Sequence, residues 1–255
     1  MTKIKPIWKA QVLTLYPDMF PGILGHATLG RGLKKGLWSL ETINIRDFAT
    51  DERGSVDDQP FGGGPGMVMR ADILAKAIDS VYPQNIGQPL IYLSPRGHPL
   101  NQERIKKLSN GPGVTLICGR FEGIDERILV TRGIEELSIG DYILSGGEPA
   151  AQILLDSCIR LLPGIVGKAK SLTEESFEKG LLEYPHYTRP RNFEGKNVPE
   201  VLLSGDHKQI QYWRNEQSEV VTKDRRADLW KRYLKHSSSS PVSYTHLTLP
   251  TIYSV

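Results

Sequence analysis

The chain predicts an α/β fold, a mostly parallel sheet with helices on its faces, and three observations predict it. Short apolar runs of strand length recur through the first two-thirds of the sequence. Glycine-rich or polar turns follow the runs ending at Leu93, Cys118 and Leu144, and each turn leads into residues at helical spacing. That repeated strand–turn–helix unit is the signature of parallel strands joined by crossover helices. With 255 residues, 39% of them hydrophobic and 24% charged, the chain also has the length and the ordinary composition to bury a real core.

Taken in order, Lys9 to Tyr16 reads as the first strand, stopped by Pro17. A loop or helical turn runs through Gly22 and Gly25 toward Leu33. Thr42 to Phe48 alternates Ile43 and Ile45 with Asn44 and Arg46 and predicts a second strand. Ala49 to Arg70 has almost no periodicity. Its centre, Phe61-Gly62-Gly63-Gly64-Pro65-Gly66-Met67, is a loop with accessible backbone N–H groups. No Lys-Ser or Lys-Thr follows, so it is not a Walker A loop; it is either a hinge or a loop that folds over a phosphate or a base. Ala71 to Val81 predicts an amphipathic helix on Ala71, Leu74, Ala77, Ile78 and Val81.

Pro89 to Leu93 is a short strand leading into a turn at Ser94–Pro99, then a helix capped by Asn101 that carries Ile105 and Leu108. Val114 to Cys118 is a buried-type strand, and Gly119 to Arg127 opens the next helix. Ser138 to Pro163 condenses an acidic turn, a short apolar strand ending at Leu144, a Gly146-Gly147 turn and a helix with Pro149 in its first turn. The predicted buried stripe of that helix is Ile153, Leu154, Leu161 and Leu162, with Ser157 and Cys158 on the same face. Asp156 and Arg160 stand at i, i+4, the spacing of a surface ion pair. In parallel sheets ligands sit at the carboxyl ends of strands, so the turns after Leu93, Cys118 and Leu144 are candidates to share one site.

Beyond Pro163 the texture changes. Gly164 to Thr173 reads as a linker. Pro185 to Arg191 is held extended by its prolines and mixes aromatic with cationic side chains. Asp206 caps a helix bearing His207, Lys208, Ile210, Trp213 and Arg214, and a last helix near Arg225 to Leu234 sets Leu229, Trp230, Tyr233 and Leu234 on one side. From Ser237 the chain is Ser/Thr-rich and uncharged, and it reads as a tail outside the fold, either disordered or foreign to the native protein. The expected organisation is therefore 1–163, a linker 164–173, a helical domain 174–236 and a tail 237–255.

Charge is a weak guide in total, at +3, and a better one by position. Before Glu41 the basic residues Lys3, Lys5, Lys9, Arg31, Lys34 and Lys35 face the single acid Asp18, which fits a solvated face or a polyanion-facing surface. Cys118 and Cys158 lie far apart, without Cys-x-x-Cys or nearby histidines at ligand spacing, which argues against a zinc site or a disulfide scaffold. Both sit in apolar company as buried thiols rather than nucleophiles. No run approaches the ~18 apolar residues of a membrane span, and the expected location is cytoplasmic.

Four of these segments, LSPRGHPLNQ (Leu93–Gln102), CGRFEGIDER (Cys118–Arg127), SIGDYILSGGEPA (Ser138–Ala150) and PHYTRP (Pro185–Pro190), give the chain from Trp8 to Leu234 a close resemblance to the bacterial tRNA (guanine-N1) methyltransferases of the SPOUT class. The resemblance implies a trefoil-knotted parallel sheet with a small helical C-terminal domain, a topology that connection rules alone exclude. It implies S-adenosylmethionine as cofactor, held by Tyr92, Leu93, Ser94 and Pro95, by Gly119, Phe121 and Gly123, and by Ile139, Gly140, Asp141, Tyr142, Ile143, Leu144, Gly146, Gly147 and Pro149. Phe121 stands where many members carry tyrosine.

The same resemblance implies methylation at N1 of the guanine immediately 3′ of the anticodon. Neutral guanine carries a proton on N1, so the site needs a base and a group to hold charge on O6. The family's aspartate base is matched here by Glu175, one methylene longer, with Glu174 the second candidate; its O6-stabilising arginine is matched by Arg160, and Asp156 then becomes a partner that orients it. Asp51, Gly62, Gly63, Gly64, Gly66, Met67, Glu122, His186, Tyr187, Thr188 and Arg189 fall where the family contacts tRNA. A homodimer is implied, as is a Mg2+ dependence, with Glu122 and Glu175 the carboxylates in view for a metal whose position the sequence leaves open. Two rival readings are a non-catalytic RNA-binding protein of the same fold and a SPOUT enzyme acting at another RNA position; the intact turns, Arg160, PHYTRP and the register of Glu175 favour the tRNA guanine enzyme.

Overall fold

The structure is a computed structural model and describes residues 8–81, 87–167 and 174–237. The described residues divide into two compact units, one ending at Gly167 and the other beginning after it.

The first unit is built on a five-stranded sheet in the order β2-β1-β6-β5-β7, parallel throughout. Its strands are β1 (Trp8–Thr14), β2 (Trp38–Asn44), β5 (Leu90–Pro99), β6 (Gly113–Ile117) and β7 (Glu135–Ser138). A two-residue hairpin ladder, β3 (Asp57–Asp58) with β4 (Val68–Met69), closes the base of the glycine loop. The helices are α1 (Ala27–Lys34), α2 (Ala71–Val81), α3 (Gln102–Asn110), α4 (Glu126–Arg132) and α5 (Glu148–Ile159).

Both faces of the sheet are buried, which is why its strands read as continuous apolar runs. Ala10, Val12, Ile91, Leu93 and Leu116 pack on one face with α3 and α5 through Ile105, Leu108, Leu154 and Leu155. Leu13, Leu90, Tyr92 and Ile117 pack on the other with α2 and α4 through Ile73, Leu74, Ile78 and Ile128. Cys118 and Cys158 are fully buried free thiols, as expected; burial pushes the Cys158 thiol up to about 12 and raises Cys118 as well.

Helix boundaries follow their caps. Asn101 accepts from the Arg104 N–H to start α3, and Asp125 accepts from the Arg127 N–H to start α4. At its other end α4 stops on Gly133, whose φ of 59° closes the last turn.

Several expectations are corrected. The second strand runs Trp38–Asn44, and Ile45–Phe48 is a single 3-10 turn started by the Asn44 side chain accepting from Arg46 N–H. β5 does not stop at Leu93: Leu137 of β7 is in register with both Leu93 and His98, so the chain detours through Ser94–Gly97 and rejoins the ladder. The apolar run Tyr142–Leu144 is no strand. The strand before that turn is β7, whose glutamates disguised it, since Glu135 pairs with Arg104 and Glu136 with Arg96. On α5 the buried face is Ala150, Ala151, Leu154, Leu155, Cys158 and Ile159, while Ile153 is exposed.

The second unit holds a short ladder of β8 (Asn192–Phe193) with β9 (Lys196–Asn197) and two helices, α6 (His207–Arg225) and α7 (Ala227–Ser237). Asp206 caps α6, accepting from the N–H groups of Lys208 and Gln209. Leu229 is buried on α7, whereas Leu234, placed by its spacing on the same stripe, is exposed. Most of the linker expected at Gly164–Thr173, the N-terminal Lys3 and Lys5, and the tail after Ser237 lie outside the described residues.

Candidate active site

The detour within β5 and the loops that leave the carboxyl ends of β6 and β7 converge on one cavity of about 430 Å3. The first contributes Tyr92–Arg96, the second Gly119–Ile124 and the third Leu137–Gly140 with Tyr142–Gly147. They are packed tightly on one another beneath it. The Gly147 N–H donates to the Gly119 carbonyl at 2.9 Å. A Cβ on Gly147 would lie 2.7 Å from Cys118 Cα, and one on Gly119 would lie 2.6 Å from the Tyr92 ring. Glycine is required at both positions because another chain segment occupies the side-chain space.

The lining is mixed. Leu93, Leu137, Ile139, Tyr142 and Leu144 supply apolar walls; Ser94, Arg96, Arg120 and Glu122 supply polar edges. Tyr92 has its phenol pKa raised by burial, partly countered by Arg96 nearby. Phe121 sits at the rim with a positive φ of 59°, a sparsely populated conformation for a bulky residue, and it leaves half of its surface open. Ile143 is 81% exposed, so the run Tyr142–Leu144 is rim and wall and not core.

The glycine loop is stitched to this cavity. Glu122 N–H donates to Met67 O at 2.9 Å, Met69 N–H donates to Gly123 O at 2.9 Å, and Asp125 N–H donates back to Met69 O at 3.3 Å. Gly66 lies under the Glu122 side chain, which a Cβ there would meet at 2.5 Å. Beyond these ties the loop is open: Gly62, Gly63 and Gly64 have nothing within 4 Å of where a side chain would be, and Phe61 is 98% exposed.

A profile of the family described as tRNA (Guanine-1)-methyltransferase TrmD matches residues 8–232. The chain belongs to this family. A tRNA (guanine-N(1)-)-methyltransferase of Mesorhizobium japonicum is 61% identical over 222 residues, 87% of this chain and 96% of that protein. Proteins of the same name from Rhizorhabdus wittichii and Rhodospirillum rubrum are 59% identical over 232 residues and 56% identical over 231, covering 91% of this chain and 94% and 96% of their own lengths. The family is one of enzymes of the SPOUT class, and the five-stranded parallel sheet with its helical C-terminal unit has the α/β architecture expected for it.

Among the residues matched to the family's cofactor contacts, Tyr92 to Pro95, Gly119, Phe121, Gly123, Ile139, Gly140, Tyr142 to Leu144, Gly146 and Gly147 all line the cavity. Asp141 and Pro149 do not. Of the family's tRNA positions, Glu122 lines the cavity too. Asp51 is exposed and accepts from both the N–H and the hydroxyl of Ser55, which holds its carboxyl below the usual carboxylate range. Arg160 stands at the C-terminal end of α5, its N–H on the Asp156 carbonyl.

In the second unit Glu174 and Glu175 edge a small depression with Lys179, Tyr184, Gln211 and Asn215. Glu174 is engaged there: Tyr184 donates its hydroxyl to it at 3.0 Å, and Arg214, which lies over the Tyr184 ring, reaches it at 3.5 Å. His186 pairs with Glu183, and Tyr187 leans on Trp213, leaving Thr188 and Arg189 exposed.

Sequence reasoning missed Arg96, Arg120 and Ser145 in the lining. The signal for Arg120 was its place in a strand-end turn; nothing signalled its partners. Among the described residues no group of three His, Cys, Asp or Glu converges as a metal cage. Among the same residues no helix is long and apolar enough to cross a membrane.

Proposed function

We propose that the chain methylates N1 of the guanine immediately 3′ of the anticodon in tRNA, using S-adenosylmethionine bound in the three-loop cavity. The cavity is the observation that carries the reading. Its volume suits a ligand of nucleoside size, its glycine loops bring backbone donors and acceptors close, and its apolar walls suit an adenine. Relatives more than half identical over nearly their whole lengths are named tRNA (guanine-N(1)-)-methyltransferases.

When bound, the cofactor supplies the methyl group. The protein's own work is on the guanine. Glu175 takes the N1 proton, which frees the lone pair that attacks. Charge then collects on O6, where the Arg160 guanidinium stabilises it. Glu174 is engaged by Tyr184 and Arg214, and Glu175 is the residue that the family register matches to the base. The loop from Gly62 to Met67, with Asp51 and Glu122, faces the target region. His186, Tyr187, Thr188 and Arg189 take the RNA further out, partly through phosphate contacts that weaken with salt.

The same reading makes the parallel sheet a trefoil knot in residues 1–163 and the segment 164–173 an interdomain linker. Residues 174–236 form the tRNA-binding domain, followed by the tail 237–255. It also makes the enzyme a cytoplasmic homodimer, with the cavity of one subunit facing Glu175 and the C-terminal domain of the other.

The test is methyl transfer from labelled S-adenosylmethionine to two tRNA transcripts that differ only in guanine or adenine immediately 3′ of the anticodon. Label enters the guanine transcript alone. Glu175→Gln lowers the rate by roughly 10²–10⁴ without loss of cofactor binding, as removal of a general base does, while Glu174→Gln retains most of it. Equal labelling of both transcripts, or full activity in Glu175→Gln, refutes the assignment.

A further inference from the structure

At the cavity wall a fully buried carboxylate meets a cavity-lining arginine, and the reaction uses neither. Glu148 opens α5 directly after the Gly146-Gly147 turn, and it is fully buried. One carboxylate oxygen accepts from the hydroxyl of Thr14, at the end of β1, at 2.7 Å. The other lies 2.9 Å from Nη2 of Arg120, on the loop after β6.

Arg120, which lines the cavity, has further contacts. Its guanidinium carbon lies 4.3 Å from the centroid of the Tyr16 ring. Its Nη1 donates to the Ser145 carbonyl at 3.2 Å. Its Nε and guanidinium carbon lie 2.4 and 2.6 Å from where a Cβ on Gly146 would be, so the guanidinium occupies the side-chain space of that glycine. One cation therefore connects the end of β1, the loop after β6 and the wall Ser145–Gly147.

A buried pair of this kind is a poor way to add stability, because desolvation offsets much of the attraction. It is a good way to fix direction: a planar fork with aromatic, carboxylate and carbonyl partners has one orientation. Within the wall it holds, Gly147 is packed on the Cys118 backbone, whereas Ser145 is exposed and the side-chain space of Gly146 is filled by Arg120 itself.

We propose that Glu148 and Arg120 act as a positioning pair, in which Glu148 fixes the Arg120 guanidinium so that it clamps the Ser145–Gly147 wall in its ligand-binding shape. The inference rests on the reading that S-adenosylmethionine occupies this cavity. Glu148 reaches the ligand only through Arg120, so its loss acts on cofactor affinity and leaves the chemical step alone.

The measurement is calorimetric binding of S-adenosylmethionine to the full chain, with kcat and both KM values on tRNA, for Glu148→Gln, Arg120→Gln and the double variant, each checked for folding by circular dichroism. Glu148→Gln keeps the shape and the Thr14 contact but removes the charge. We expect it to weaken cofactor binding at least tenfold, with kcat at saturating cofactor within threefold of wild type and the KM for tRNA unchanged. The double variant is no weaker than the worse single variant, because both changes break one device. Cofactor affinity within twofold of wild type in folded Glu148→Gln overturns the proposal, as does strict additivity in the double variant. If Glu148→Gln does not fold, the additive or non-additive behaviour of the pair is read from Arg120→Gln against the double variant: a double that folds and binds like Arg120→Gln supports the pair, and one that binds tenfold more weakly overturns it. A wild-type chain that binds no S-adenosylmethionine overturns the cofactor assignment itself, an outcome distinct from equal binding by wild type and variants.

Discussion

Replacing Gly147 by alanine tests whether the cavity floor is made by backbone packed on backbone. Gly147 has φ −78° and ψ −13°, ordinary right-handed values, so alanine meets no conformational penalty there. On chain entropy alone the change would stabilise the protein by about 0.4–1 kcal/mol, because alanine has fewer unfolded states to lose. The surroundings reverse the sign. The new Cβ would stand 2.7 Å from Cys118 Cα, 3.0 Å from Gly119 N and 3.2 Å from Cys118 C. These are main-chain atoms of a fully buried strand end and cannot rotate away. Overpacking of this kind costs about 1–3 kcal/mol. The net is a loss of roughly 1–2 kcal/mol, or roughly 2–8 °C in melting temperature for a domain of this size. The assay is thermal unfolding followed by near-UV circular dichroism, with Gly111→Ala as companion. Gly111 also has negative φ, but its nearest contact is an ordinary 3.4 Å to Leu108 O, so that variant melts at or slightly above wild type. If Gly147→Ala melts as high as Gly111→Ala, the close approach of the loops is not what the sequence is satisfying, and the argument fails.

Three other outcomes follow from the same structure. Leu154→Ala, at a fully buried position between α5 and the sheet, costs about 2–5 kcal/mol, read as a lower denaturant midpoint at unchanged slope. Asp206→Ala removes the acceptor for two N–H groups at the start of α6 and costs about 1 kcal/mol, with Asp206→Asn recovering most of it. Burial lifts the Cys158 thiol to about 12 from an ordinary value near 9, so between those limits the unfolded chain releases a proton that the folded chain keeps. Stability therefore falls as pH rises from about 9 toward 12, and urea titrations of Cys158→Ala show a shallower fall across that window.

Much of the fold was legible because the sheet is buried on both faces and its helices carry their caps. The alternation of apolar runs with glycine turns located β1, β5 and β6, and Asn101 and Asp206 marked helix starts that the structure repeats. What was illegible has a common cause: local pattern does not record what a residue faces. Tyr142–Leu144 is as apolar as a strand but lines a cavity, and β7 is a strand although it begins with two glutamates, because Arg104 and Arg96 meet them. In the site the loop-borne residues could be found by their glycines. Arg120 and Glu148 could not be joined, since their partnership depends on Thr14 and Tyr16, which belong to a strand end far away in the chain.

The glycines of this protein look alike in sequence and do opposite things. At Gly97, Gly119 and Gly147 the missing side chain makes room for another segment: Leu137 N would lie 2.4 Å from a Cβ at Gly97, and the Tyr92 ring and the Cys118 backbone crowd the other two. These positions let three loops share one small volume, and they make the cavity stiff. At Gly62, Gly63 and Gly64 nothing lies within reach, all three φ angles are positive, and only the ends of the loop are tied down. A stiff pocket preserves the shape that a small cofactor needs, whereas an open loop can adapt to a base presented by a large RNA. The division of labour proposed for this enzyme thus has a counterpart in how each glycine is surrounded. The proposed clamp follows the same division: Gly147 is fixed by the Cys118 backbone, while the side-chain space of Gly146 beside it is filled by the Arg120 guanidinium.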